Sequence, residues 1–382
     1  MLSESFIIHF SQLEDPRISN HNSRHKFFDI LTMAFVATLC GCDDWVEVSE
    51  FCKSKKSFFE QLLELPNGIP SHDTFGRVFS LIDSDHFEAL FSQWMKKLFI
   101  KTRGEVIAID GKTIKSARYK HQHKGIHLVS AWACQNHLTL GSVKVDEKSN
   151  EITAIPKLLK YLDITDCTIT IDAMGCQKSI AKSIIQHGGN YVLCVKNNQK
   201  ELRCDIATAF RLVENRPCQQ YADNKNHQEH KHGRTETRSY SSLPLDEFPY
   251  IQDNWPSARS ITKVTRVRTI DDEQSEEINF YISSHPYLSE QIHKAIRKHW
   301  NIENNLHWQL DVSFNEDNCR ARVKNAASNF SLLRKISLGY LKKDKTSKVG
   351  IKCKRKKASW DDEYLLGVLA GGNDPVSNVC KQ

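Results

Sequence analysis

The stretch VIAIDGKT, residues 106–113, constrains the fold of this chain most. Val106, Ile107 and Ile109 suit a strand buried on both faces. The strand is expected to end at Asp110 and turn at Gly111. A carboxylate delivered by a buried strand is costly unless something cationic meets it. Lys112, a helix N-terminus or a metal ion would each serve, and this stretch alone leaves all three open.

A second stretch repeats the pattern. TITIDAMG (168–175) is an apolar strand ending in Asp172, again followed by small residues. On adjacent strands the two carboxylates would lie side by side, which is unfavourable without a divalent cation between them. Open oxygen ligands suit Mg²⁺ or Mn²⁺. Either aspartate alone reads as a turn or cap residue. The same pattern twice in one α/β unit points to metal.

A third ligand is expected from a long helix over 288–310. Ile292, Ala295, Ile296, Ile302, Leu306 and Leu310 form its apolar face, and Glu303 lies at the margin beside His299, Trp300 and His307. The plain alternative is a surface glutamate paired with a histidine four residues away. Asp311 and the pair Glu316-Asp317 compete for the same role. Two acids on strands and a third on a later helix form the arrangement used for two-metal phosphoryl transfer.

Around these acids the chain divides into three. Residues 1–102 read as a helical N-terminal domain: an all-apolar helix from His25 to Cys40 stopped by Gly41, and further helices capped by Asp43 or Asp44 and by Ser71 or Asp73. Asp85 and Glu88 have capping-box spacing. The last helix pair could read DNA, although most helical hairpins do not. Residues 103–333 read as a mixed α/β layer in the order β-β-β-α-β-α-β, with a helix opening near Pro156 and another over 177–189 whose Ile180, Ile184 and Ile185 face inward. A β-rich insertion is expected at about 200–287. Residues 334–382 read as a basic tail, with two Arg and nine Lys against one Asp over 334–357.

Composition adds a few exclusions. A net charge of +7 permits a polyanionic partner without requiring one. The 12 cysteines include no CxxC pair, which argues against a zinc ribbon or disulfide framework and fits free thiols in a reducing cytoplasm. The most apolar run, Ile30 to Cys42, is too short to span a membrane, and no signal peptide is read. His227, His230 and His232 read as a solvated loop rather than a metal site.

With these residues in view, the chain resembles the DDE transposases of bacterial insertion sequences, specifically the H-repeat-associated group. The resemblance rests on IPSHDTFGRVF (69–79), AIDGKT (108–113), DEKSNEITAIP (146–156), TIDAMGCQ (170–177), VKNNQ (195–199) and RKHWNIENNLHWQLDVSFNED (297–317), and covers nearly the whole chain. It implies a ribonuclease H-like catalytic core with a β-rich insertion, and Mg²⁺-dependent cleavage and strand transfer of double-stranded DNA at element ends. It implies Asp110, Asp172 and Glu303 as catalytic and metal-binding acids. Lys112, Lys115, Lys196, Arg234, Arg238, Arg297, His299 and His307 are the expected DNA contacts, a homodimer the expected assembly on DNA, and the bacterial cytoplasm and nucleoid the expected location. The Tyr, Arg and Lys that many wider relatives place around the last acid are Ile296, His299 and Leu310 here. Two other readings compete. A catalytically inactive DNA-binding relic fits poorly with all three acids present. A zinc hydrolase built on His299, Glu303 and His307 lacks the HExxH order and leaves Asp110 and Asp172 unexplained.

Overall fold

The computed structural model describes residues 4–18, 23–99, 102, 104–117, 125–146, 149–214, 223–231, 234–255, 257–270 and 273–370. It is a mixed α/β protein with a helical N-terminal region. Most of the 115–125 loop, His232 and the end of the chain lie outside the described residues, as do the side chains of His227, His230 and Arg234.

Among the described residues nine strands form one sheet: β1 Val106–Ile114, β2 Ile126–Ala133, β3 Leu138–Lys144, β4 Thr168–Ile171, β5 Asn190–Val195, β6 Asp223–Lys231, β7 Arg234–Pro244, β8 Ser260–Ile270 and β9 Glu273–Ser283. Their order across the sheet is β3-β2-β1-β4-β5-β9-β8-β7-β6. β1, β4 and β5 run parallel, and the other neighbours are antiparallel. The insertion therefore does not stand apart: β9 pairs with β5 and carries the sheet outward. It also opens with a helix, Lys200–Glu214, whose Leu202, Ile206, Ala209, Phe210 and Val213 are buried at helical spacing.

Helices cover both faces, and β1 shows how its sequence serves two layers. Ile107 and Ile109 pack with helices Glu151–Tyr161 and Lys178–Gln186. Val106 and Ala108 pack on the other side with helix Glu290–Ile302 and the N-terminal helices. Side chains alternate along a strand, so Asp110 and Lys112 share the face of helix 290–302, and Gly111 and Thr113 that of helix 151–161.

Several local expectations change. β1 runs through Asp110 and Gly111 to Ile114, because β2 keeps pairing with it as far as Ile126. Helix 151–161 starts at its Asn150 cap and keeps Pro156 inside, with one backbone donor fewer. Ile185 is exposed, while Ile180 and Ile184, one turn apart, are buried. Asp83, not Asp85, caps helix Ser84–Leu98. Glu88 instead accepts from the Ser142 backbone N–H at 2.6 Å and hydroxyl at 2.8 Å, tying that helix to β3.

The basic stretch 334–370 is helical: Ala326–Lys343, Ile351–Trp360 and Asp362–Leu369. These helices share one core with the N-terminal helices. Trp45 stacks on Phe330 at 4.3 Å between ring centroids, and Asn329 donates to the carbonyls of Phe79 at 2.8 Å and Ile82 at 3.0 Å. Arg355 is buried because helix Phe27–Leu39 ends beside it. Its guanidinium donates to the Thr38 carbonyl at 2.8 Å and to Asp43 Oδ1 at 2.9 Å, meeting a carbonyl in the helix's last turn. Lys354 does the same for helix 326–343, donating to the carbonyls of Leu341 and Asp344. Among the described residues no helix is long and apolar enough to cross a membrane.

Candidate active site

β1 and β4 are hydrogen-bonded neighbours in parallel register, with Ile109 opposite Ile171. The next residue on each is an aspartate, so Asp110 and Asp172 leave the paired region at the same level. Asp110 continues within β1, opposite Ser130. Asp172 leaves β4 and caps a 3-10 turn, accepting from the backbone N–H groups of Met174 at 3.0 Å and Gly175 at 3.3 Å. Its plain role as a cap is thus real. The VKNNQ stretch steadies that turn, with Asn198 donating to the Ala173 carbonyl at 2.6 Å and Gln199 to that of Cys176 at 2.9 Å.

The expected long helix is interrupted at the site. Helix 290–302 passes into a π-helical turn at Glu303–His307 and resumes at Trp308–Val312. Such turns concentrate at functional positions. Here the turn carries both side chains that reach Asp110. His307 Nδ1 lies 3.4 Å from Asp110 Oδ2 and 3.8 Å from Glu303 Oε2. Asp110, Glu303 and His307 each present a ligand atom, all within 4.8 Å of one another, as a metal ion requires. Asp172 is not part of this compact group.

The charges explain why a cation fits. Burial, and then the Glu303 carboxylate beside it, push Asp110 up to about 8, with Asp172 adding to the shift. The His307 imidazole beside it holds Glu303 below the usual range. Burial and then Glu151 raise Asp172, and the backbone N–H groups of Gly175 and Met174, and then Lys196, partly offset them. His307 is buried, and its Nε2 has no hydrogen-bond partner. Two carboxylates and an imidazole nitrogen within 4.8 Å of one another match the donor set of a divalent cation.

Family comparison agrees with this architecture. The sequence model of the transposase DDE domain matches residues 101–339, and the DDE_Tnp_1-associated model matches residues 7–95. The chain belongs to the DDE transposase family. The "H repeat-associated putative transposase YhhI" of Escherichia coli K12 is 40% identical over 370 residues, 95% of this chain and 97% of that protein. "Putative transposase YncI" of Escherichia coli O157:H7 is 40% identical over 375 residues, 97% and 95% of the two chains. Among solved structures, piggyBac transposase in a synaptic complex with hairpin DNA aligns over 96% of this chain and 77% of its own, with a TM-score of 0.42 and 11% identity.

The remaining expected site residues of this transposase are distributed unevenly. Lys112 shares the face of Asp110 but does not turn to it or to solvent. Its ammonium lies 2.7 Å from Asp311, 3.0 Å from Glu316 and 3.4 Å from Asp317, with the lysine side chain only 10% exposed. That occupies the two competitors for the third-ligand role, and it leaves Lys112 enclosed rather than presented to phosphate. His299 is held neutral by burial, which lowers it to about 4, so it offers no cation either. Lys115 is exposed and pairs with Asp317 at 3.0 Å. Lys196 is exposed just after β5. Arg297 is half-buried. Arg238 pairs with Glu236, a buried acid that Arg268 also approaches.

Two residues escaped the sequence reading. His127 on β2 accepts or donates at both ring nitrogens: Nδ1 is 2.8 Å from Thr113 Oγ1, and Nε2 is 2.7 Å from Glu151 Oε1. Glu151 stands in a family-like stretch, but nothing in its spacing from Asp110 or Asp172 signals proximity. The contact arises only once β2 folds back on β1.

Proposed function

We propose that this transposase cleaves double-stranded DNA at the ends of its element and transfers the freed strands into target DNA. Asp110, Asp172 and Glu303 are the acid triad, on a ribonuclease H-like core, and Mg²⁺ or Mn²⁺ is the cofactor. The observation that carries the proposal is the convergence of Asp110, on β1, with Glu303 and His307, on the π turn, beside Asp172 at the end of β4.

The side chains divide the work. Asp110, Glu303 and His307 would hold the cation, with Asp172 alongside. When bound, a divalent cation supplies Lewis acidity toward a phosphodiester. The π turn fixes Glu303 and His307 against β1, and packing behind it excludes water: Ile302, Leu306 and Leu310 are buried. A water oxygen attacks phosphorus, its bond to the 3′ oxygen breaks, and the proton leaves with the new 3′ hydroxyl. That hydroxyl then attacks a phosphodiester of the target. Lys115, Lys196, Arg234, Arg238 and Arg297 orient the DNA through its phosphates, and two copies of the chain bring two ends together.

The test is an incubation of the purified chain with a plasmid carrying the sequences that flank its coding region. Nicks with 3′ hydroxyl ends at the flank boundaries, present with Mg²⁺ or Mn²⁺ and absent with EDTA, are expected. Cutting that is indifferent to EDTA, or confined to no position, contradicts the proposal.

A further inference from the structure

The acids described so far approach Asp110 from one face of the sheet. A fourth approaches β1 from the other face. Glu151 is the first residue of helix 151–161, with its side chain only 14% exposed. It is fixed by a chain of contacts that returns to β1: Glu151 Oε1 to His127 Nε2 at 2.7 Å, then His127 Nδ1 to Thr113 Oγ1 at 2.8 Å. The backbone between Thr113 and Asp110 is shaped around this pair. A Cβ at Gly111 would overlap the Glu151 carboxylate and come within 2.5 Å of His127 Nε2. Glycine lets β1 pass against the carboxylate one residue from Asp110. The helix that Glu151 opens also packs on the 3-10 turn that Asp172 caps, where a Cβ at Gly175 would come within 3.3 Å of Ile155.

We infer that Glu151, held by His127 and Thr113 against Gly111, is a positioning residue whose negative charge strengthens divalent-cation binding at Asp172 and Asp110. The inference rests on the cation reading above. Its physical basis is mutual repulsion. Like carboxylates around one point disfavour the cation-free protein and are relieved when a divalent cation enters. A residue that merely latches helix 151–161 to β2 would stabilise the chain with or without metal. A charge that acts through Asp172 costs stability without metal and returns it when metal is bound.

The experiment uses the full chain, with Mn²⁺ as the probe, followed by electron paramagnetic resonance titration and by thermal unfolding in EDTA. Glu151→Gln keeps the shape and removes the charge. It should weaken Mn²⁺ binding about tenfold, the scale of one unit charge removed at several ångströms, and melt no lower than wild type in EDTA. Glu151→Asp restores the charge and should bind Mn²⁺ more tightly than Glu151→Gln. The inference is overturned if Glu151→Gln binds Mn²⁺ within twofold of wild type, or if Glu151→Asp is no better than Glu151→Gln at equal melting temperature. Asp110→Asn separates the two readings. If it loses Mn²⁺ while Glu151→Gln keeps it, only the role of Glu151 fails. If wild type binds no Mn²⁺, the cation reading and this inference fail together.

Discussion

His307 Nδ1 lies 3.4 Å from Asp110 Oδ2, a contact between a helix and a strand 197 positions apart in the chain. It is made from the same π turn that carries Glu303. An imidazole so placed orients the carboxylates and is itself a ligand candidate. Replacing His307 by Ala should therefore lower metal affinity by about 10- to 100-fold, the range seen when a group ordering a metal site is removed. Isothermal titration with Mn²⁺ checks this, and unchanged affinity would assign the ring to packing alone.

The raised Asp110 predicts a pH-dependent stability. Its native pKa, about 8, lies above the unfolded value, so the native state binds more protons in between, and this contribution to stability is lost as pH rises through about 8. His299 acts in the opposite direction at lower pH: held near 4, it loses stability as pH falls below its ordinary 6.5. Lys342, which burial lowers to about 8, acts against Asp110 near the top of the range from roughly pH 6.5 to 8.5, so in that interval the Asp110 contribution is read as the difference between wild type and Asp110→Asn. In EDTA, wild type should melt several degrees lower at the top of that interval than at the bottom. Asp110→Asn should flatten the slope, and Mn²⁺ should remove it in wild type.

Lys112 is the counter-charge of a buried acid. Glu316 is 1% exposed, and its neighbours are Lys112 at 3.0 Å and Arg334 at 3.9 Å. Lys112→Ala leaves that carboxylate undercompensated and should cost about 3 kcal/mol or more in urea unfolding, as removal of one partner of a buried pair does. Because Asp311 loses the same partner, the end of the π-turn helix should loosen, and cleavage should fall with stability. A loss under about 1 kcal/mol would place Lys112 among the weak surface pairs.

The N-terminal region should not fold by itself. Its core continues into helix 326–343 through Trp45 on Phe330 and Phe35 near Tyr340 at 5.2 Å. A fragment of residues 1–102 should show no cooperative melt, and Phe330→Ala, at a fully buried ring, should cost about 3–5 kcal/mol in the full chain. A sharp melt of the fragment would mark an independent domain.

Much of this was legible in the sequence because it is local. Apolar runs marked β1, β4 and β5, and Ser71 capped its helix as the spacing implies. Helical periodicity put Glu303 beside His307. What was hidden depends on long-range contact. Arg355 reads as a surface charge until the end of helix 27–39 supplies carbonyls for it. Lys112 reads as a phosphate contact until Glu316 folds over it. The π turn is invisible because the residues that form it also suit an α-helix. Glu151 and His127 are joined only by the return of β2 on β1.

If Asp110, Asp172 and Glu303 act together on DNA, strand cleavage depends on all three. A DNA fragment spanning one boundary between the element and its flank would be incubated with Mn²⁺ and wild type, Asp110→Asn, Asp172→Asn or Glu303→Gln, with DNA binding measured in parallel. Cleavage by wild type is expected, with a loss of at least about a hundredfold in each variant and binding retained by all four. Wild-type cleavage in any one variant would contradict it.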